Sequence, residues 1–348
     1  MTNAVRPPRL PNSVHPSKVF NTYWRFAAER QAIFFRRLSG AAPPWTPDPV
    51  LQAYRFTNAY RAADRVSQYL IRHVIYDGPQ APQELFFRVL LFKIFNRIET
   101  WELLTKSFGR VSFAEYSFKH YDAVLSQAIS SGVRIYSPAY IMPACRDGEA
   151  RKHRSHLRLL EWMMREHVAD RLRECASMES GFSLLRSYPM IGDFLAYQFA
   201  TDLNYSTLTN FSEMDFVVPG PGAKDGIRKC FRDTGHLSEA DTIRLMADIQ
   251  EEQFARLGLS FRTLWGRRLQ LVDCQNLFCE VSKYARCVHP DVSGTSGRTR
   301  IKQRFHANPD PLRYWFPPKW GINHLVGSCD LAPATTQAHG GKVGTKRT

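Results

Sequence analysis

The sequence predicts a mainly α protein with little or no β structure. Three observations carry this: apolar residues recur near a 3.6-residue period in several long segments, strand candidates are few, and strands and helices show no regular alternation. Residues 1–17, with four prolines, scattered basic residues and no apolar period, read as a flexible arm. In "VFNTYWRFAAERQAIFFRRL", Phe20, Tyr23, Trp24, Ala27, Ile33, Phe34 and Leu38 then fall along one helical stripe. "PWTPDPVLQAYRFTNAYRAADR" is a Pro-rich approach to a helix with Arg61 and Arg65 on one face. "PQELFFRVLLFKIFNRIETWELL", "FAEYSFKHYDAVLSQAI", "RSHLRLLEWMMREHVADRLREC" and "SEADTIRLMADIQEEQFARLG" add amphipathic or buried helices. The last begins at Ser238, with Asp241 three residues on and Leu237 before it, an N-terminal capping pattern. Residues 18–325 are expected to form a single helical domain, and 326–348 a flexible basic tail. No repeat at solenoid spacing occurs.

Composition restricts the function. The 348 residues carry 47 Lys and Arg against 32 Asp and Glu, a net charge of +15 that favours polyanionic partners, nucleic acid first and an anionic membrane second. No run approaches the roughly 20 apolar residues of a membrane span, and the polar N-terminus does not resemble a signal peptide, so an intracellular location away from membranes is expected. Seven cysteines fit reduced thiols. Cys274, Cys279, Cys287 and His289 lack C-x-x-C or zinc-finger spacing; no metal and no cofactor are predicted.

The stretch "LLRSYPMIGDFLAYQFATDLNY" breaks at Pro189 and Gly192 between two apolar-periodic segments, which makes a helix, a tight turn and a second helix. Such a turn exposes the first N–H groups of the second helix, where an anion is favoured; an ordinary αα corner is the plain alternative. "YPMIGDFLAYQ" resembles the hairpin of helix-hairpin-helix DNA glycosylases at Pro189, Ile191, Gly192 and Ala196, and departs from it at Met190, where glycine is usual. Over about Asn21 to Ile322 the chain resembles the helical domain of 5-hydroxymethyl-deoxyuridine (5-hmdU) DNA kinases and related base hypermodification proteins. "YWRFAAERQAIFFRRL", "PWTPDPVLQAYRFTNAYRAADR", "IGDFLAYQFATDLNYS", "VVPGPGAKDGIRKCF" and "VDCQNLFCEVSKYAR" carry the resemblance. That family looks related to the α-glutamyl/putrescinyl thymine pyrophosphorylases, which implies a glycosylase-like fold and work on thymine-derived bases in DNA.

Candidate binding residues follow. Arg55 and Arg61 suit phosphates, and Asn58 suits a base edge or a local carbonyl. Trp45 and Tyr54 can stack on bases or belong to the core. "VVPGPGAKDGIRKCF" joins a turn at Gly220 and Gly222 to a helix start with Lys224 and Arg228, a second anion site, unless the turn is only a turn. On the "VDCQNLFCEVSKYARC" helix Asn276, Glu280, Lys283 and Tyr284 share a face, with Gln275 beside them; Glu280 and Lys283 form an acid/base candidate or a structural ion pair. Arg300 and Lys302 lie in a basic loop ahead of Tyr314, Trp315 and Trp320, a pattern that suits flipped or single-stranded bases, or else a basic loop followed by a Pro-rich clasp over the core.

The glycosylase resemblance implies a catalytic Asp about two dozen residues beyond the hairpin. Asp215 stands at that distance and ranks first; Asp225, Glu280 and Lys283 complete the catalytic candidates. No G-x-x-x-x-G-K-[ST] stretch occurs, so the chain is not expected to be a P-loop kinase by itself. The resemblance implies group transfer at an activated 5-hydroxymethyl base, with DNA as partner and a separate DNA base kinase or other modification enzyme beside it. Excision of a modified base by a glycosylase, or DNA binding without catalysis, are the competing classes.

Overall fold

The long first helix, at 18–38, and the helices at 221–230 and 271–288 pack on one another. The computed structural model describes residues 10–144, 151–307 and 313–326. Of the expected arm, residues 1–9 lie outside these; Val14 is buried, and β1 (His15–Pro16) pairs antiparallel with β2 (Phe231–Asp233). The tail beyond Val326 also lies outside the described residues. Helix α1 (Lys18–Leu38) starts where the Ser17 side chain accepts a hydrogen bond from Val19 N, and ends with Arg36 and Arg37 complementing its dipole. Its stripe, from Val19 and Phe20 to Phe34 and Phe35, is buried as the period requires.

The segment after α1 departs from expectation. Asp48 caps a single turn, α2 (Pro49–Ala53), and residues 54–60 then run largely extended into a 3-10 turn at Arg61–Ala63. Here Thr57 N donates to Glu280 Oε2 (2.9 Å) and Asn58 N to Asp64 Oδ1 (2.7 Å). These backbone donors are satisfied by side chains, so the segment does not need helical bonds. Arg61 and Arg65 therefore do not share a face: Arg61 is 2% exposed, whereas Arg65, at the start of α3 (Arg65–Tyr69), faces solvent. A π-helical turn at Leu70–Ile75 follows.

Helix α4 (Pro82–Phe95) begins with proline and is buried from Leu85 to Phe95, as its unbroken apolar run requires. Around it are α5 (Ile98–Phe108), α6 (Phe118–Ser130), α7 (Lys152–Arg165) and α8 (Val168–Glu174). The last two, expected as one helix, separate at His167, which takes a left-handed φ of 51°. Next come α9 (Met178–Arg186), α10 (Asp193–Leu203), α11 (Pro221–Cys230), α12 (Glu239–Asp248), α13 (Gln250–Arg256), α14 (Leu271–Val288) and α15 (Asn323–Val326). Ser238 caps α12 by accepting from Asp241 N at 3.1 Å, as its sequence pattern indicates. The architecture is mainly α, and no described helix is long and apolar enough to cross a membrane.

Two pairings position the site. α9 and α10 form a helix pair across a turn in which Met190 has φ 64°, a left-handed geometry that glycine adopts freely and methionine only with strain. α11 lies directly on α14. A Cβ on Gly226 would overlap the Phe278 backbone carbonyl, and one on Gly222 would overlap Cys279 Sγ. Glycine is what lets these helices approach so closely.

Candidate active and DNA-binding site

A cleft of about 1410 Å³ opens where α1, the 54–68 segment, the end of α4, residues 134–140, the N-terminus of α11, α14 and the 303–307 strip converge. Its lining carries Arg30, Arg37, Arg55, Arg61, Arg65, Lys93, Arg97, Arg134, Lys283, Arg304 and Arg313 against Asp64, Glu99 and Glu280. Positive charge gathered in a concave site concentrates the field where a polyanion would enter.

On the α14 wall, Lys283 Nζ stands 2.7 Å from Glu280 Oε2 and 4.5 Å from the centre of the Phe56 ring. Three residues of helix bring the pair together, and Thr57 N fixes the carboxylate from the opposite wall. Gln275 and Asn276 line the same cleft one turn earlier. Gln275 is 3% exposed, and its Oε1 has no hydrogen-bond partner among the described residues. From α1, Arg30 Nε donates to Thr57 O (2.9 Å) and an Arg30 terminal nitrogen to Asn58 Oδ1 (3.1 Å), while Asn58 Nδ2 donates to Ala63 O (2.7 Å). Asn58 is thus held as a scaffold, with its amide committed to protein groups.

The floor of the cleft is an ionic node. Asp202 on α10 accepts from Arg61 (2.7 Å) through Oδ1 and stands 3.1 Å from Lys93 Nζ through Oδ2; all three are nearly inaccessible. Arg61 Nε also donates to Gln198 Oε1 (3.2 Å) and another of its nitrogens to Tyr205 Oη (3.1 Å). Lys93 donates to Asn96 Oδ1 (2.7 Å) and lies over the Tyr140 ring. Burial works to raise the Asp202 carboxyl, but Arg61 and Lys93 outweigh it and hold the group below the usual carboxylate range. Burial lowers the Lys93 ammonium despite Asp202. Arg61, expected to meet phosphate, is instead committed to this internal node by Asp202. Neither Lys93 nor Asp202 stood out in the sequence, where both sit within helical apolar periods.

The other candidates separate. Gly220 and Gly222 line the cleft at the start of α11, but steric room explains them: a Cβ on Gly220 would lie 2.7 Å from the Phe194 ring. Lys224 and Arg228 are exposed on α11 outside the cleft lining, with Lys224 near Glu239 (3.9 Å). Gly192 is the exposed N-cap of α10 with open space around it, and Asp193 beside it pairs with Arg186. Arg300 and Lys302 are exposed on the strip that closes one side of the cleft, whose residues 303–305 are tied to α2 through Arg55 N to Gln303 O and Phe305 N to Ala53 O. Trp45 is 8% exposed and belongs to the core, while Tyr54 lies under Arg304.

Asp215 lies on an exposed loop outside the cleft lining, where its carboxylate accepts from Ser212 Oγ (2.9 Å). Asp225 is 2% exposed inside the α11–α14 contact, bonded to Ser282 Oγ and Ser296 N (2.8 Å) with Lys229 at 3.8 Å. It is a structural tie, one turn into α11 rather than at its first residue. Of the four catalytic candidates, the cleft brings together Glu280 and Lys283. It also contains the carboxylate of Asp64, which nothing in the local sequence marks.

The family model for the helical domain of 5-hmdU DNA kinases matches residues 17–294. A 5-hmdU DNA kinase of Bacillus phage SP10 is 28% identical over 332 residues, covering 88% of this chain and 51% of that protein. The chain thus spans about half the length of this curated relative. No solved structure matches. With most of its length, including α11, α14 and the 54–68 segment, inside the matched region, the chain belongs to the family of 5-hmdU DNA kinase helical domains.

Proposed function

We propose that this chain is a DNA-binding protein of base hypermodification, acting on a 5-hydroxymethyl pyrimidine by group transfer at its activated hydroxymethyl carbon. The observation that carries the reading is the cationic cleft with the Glu280–Lys283 pair on its wall. At about 1410 Å³ the cleft exceeds the ~300–1000 Å³ typical of small-molecule sites, leaving room for a nucleotide with its flanking phosphates. Reaching the 5-substituent deep in such a site requires the base to leave the stack, at a cost of roughly a few kcal/mol.

The parts have distinct tasks in this reading. Arg55, Arg134, Arg304 and Arg313 hold the DNA backbone, and Arg300 and Lys302 extend that surface. Gln275 and Asn276 present amides that match the donor and acceptor groups of a pyrimidine edge. The first turn of α11 at Gly220 and Gly222 and the excess cation of the Arg61–Asp202–Lys93 node favour the departing anion. Lys224 and Arg228 add long-range attraction only. The α9–α10 pair, with its left-handed turn at Met190, supports a helix-hairpin-helix glycosylase-like fold in which Gly192 faces DNA. A base kinase activity supplies the phosphorylated hydroxymethyl group; the residues of this sequence include no phosphate-cradling P-loop motif.

The test is mass spectrometry of nucleosides from DNA containing 5-hydroxymethyl- or 5-phosphomethyl-deoxyuridine after incubation with the protein. Transfer leaves an intact strand with a changed nucleoside mass. Abasic sites would establish excision instead, and unchanged nucleosides with tight DNA binding would establish a binding module.

A further inference from the structure

Two carboxylates reach the cleft through adjacent backbone groups. Thr57 N holds Glu280 at 2.9 Å, and the next residue, Asn58 N, holds Asp64 at 2.7 Å. Their surroundings then diverge. Glu280 is neutralised by Lys283 at 2.7 Å. Asp64 has no ion pair within 4 Å among the described residues, and only its Oδ1 is hydrogen-bonded there. Because Asp64 lines the cleft and its Oδ2 is not a buried orphan, that oxygen is open to whatever the cleft holds.

We propose that Asp64 is the catalytic proton acceptor of this cleft, with Glu280 paired to Lys283 beside it. The inference rests on the group-transfer reading above. The step it serves is a displacement: a nucleophile bearing an N–H or O–H forms a bond to the 5-methylene carbon of a phosphorylated base. The carbon–oxygen bond to phosphate breaks and its electron pair leaves with the phosphate. The nucleophile's proton passes to Asp64 Oδ2 and later to water, so atoms and charge balance.

The electrostatics agree with the geometry. Burial raises the Asp64 carboxyl from its ordinary value to about 7, and Glu280 adds to the rise; Asn58 N, Arg30 and Arg61 oppose it. The Asp64 charge in turn helps to raise the Tyr314 and Tyr140 phenols on the remaining walls. A carboxyl that is half ionised near neutral pH, beside one fixed in an ion pair, is the division expected of a proton carrier and its electrostatic neighbour. The sign is definite: an acceptor works in the ionised form, so the rate rises with pH through about 7.

The experiment measures single-turnover conversion of DNA carrying one 5-phosphomethyl-deoxyuridine, from pH 5.5 to 9, with water and a panel of small primary amines and alcohols as nucleophiles. The wild type should show a rising limb with its midpoint near 7. Asp64→Asn should be about 10²- to 10⁴-fold slower at pH 8, lose that limb and keep its DNA affinity within about twofold. Asp64→Glu should restore part of the rate. Full activity and an unchanged profile in Asp64→Asn would overturn the role of Asp64 while group transfer stands. A wild type that converts nothing would remove the transfer reading and this role with it. Should Asp64→Asn not fold, carboxyl carbon NMR of the wild type decides: a midpoint near 7 supports the proposal, and one below 5 overturns it.

Discussion

Asp202→Asn is the sharpest test of the node beneath the cleft. The substitution keeps shape and one acceptor oxygen but removes the charge shared by Arg61 at 2.7 Å and Lys93 at 3.1 Å, leaving two buried cations without a counter-ion. Breaking a buried pair typically costs ~3–5 kcal/mol, much of it from stranding the remaining charge. Two cations depend on this one carboxylate, so we expect the upper part of that range, read by urea unfolding followed with tryptophan fluorescence. The loss should also vary with pH. Burial already depresses Lys93 in the folded wild type, and without Asp202 the depression deepens. The folded variant then binds fewer protons than its unfolded chain, so its stability climbs as pH rises through the folded value of Lys93 and levels off at the unfolded value. Adding Lys93→Met to Asp202→Asn should recover a substantial part of the loss and abolish the pH dependence. A cost under ~1 kcal/mol, unchanged between pH 7 and 10, would refute the idea that Asp202 balances both cations.

Further outcomes test the surrounding structure. Gly226→Ala places a methyl against the Phe278 backbone carbonyl and should cost ~1–3 kcal/mol or more in unfolding experiments, whereas Gly192→Ala, with open space and an ordinary φ of −81°, should cost far less. Glu280→Gln, which breaks the pair with Lys283, should slow base modification by ~10²-fold or more at unchanged DNA affinity, while Asp215→Asn, outside the cleft lining, should leave turnover within twofold. DNA affinity should fall steeply with salt, and removing Arg55 or Arg304 should each lower the slope of log K against log salt by about 1. A slope unaltered by both substitutions would place the phosphate track elsewhere.

Much of the fold was legible because burial leaves a period in the sequence. The stripe from Phe20 to Phe34 and the unbroken apolar run of α4 both correspond to observed helices. Pro49, Pro82 and Ser238 mark helix starts for local reasons that survive in the tertiary structure. Where local signals misled, a distant side chain had replaced a local bond. Residues 54–60 carry a helical composition but run extended because Glu280 and Asp64 take the N–H groups of Thr57 and Asn58. The glycines at 220, 222 and 226 suggested phosphate approach; the contacts with Phe194, Cys279 and Phe278 give them packing reasons.

The candidate site divides along the same line. Sequence alone determined that Glu280 and Lys283 would meet, because helical spacing makes neighbours of residues three apart, and that the chain carries a net charge of +15, because net charge needs no fold. Only the tertiary structure decided that residues 55–65, 220–223 and 275–283 share one cleft, that Asp215 stands outside it, and that Asp64 enters it with one oxygen free. It alone turned Arg61 inward to meet Lys93 and Asp202, the latter 141 residues along the chain. The physical reason is that the state of a charged side chain is set by desolvation and by which charges lie within a few ångströms of it. Both are properties of three-dimensional neighbours, on which local residue spacing is silent.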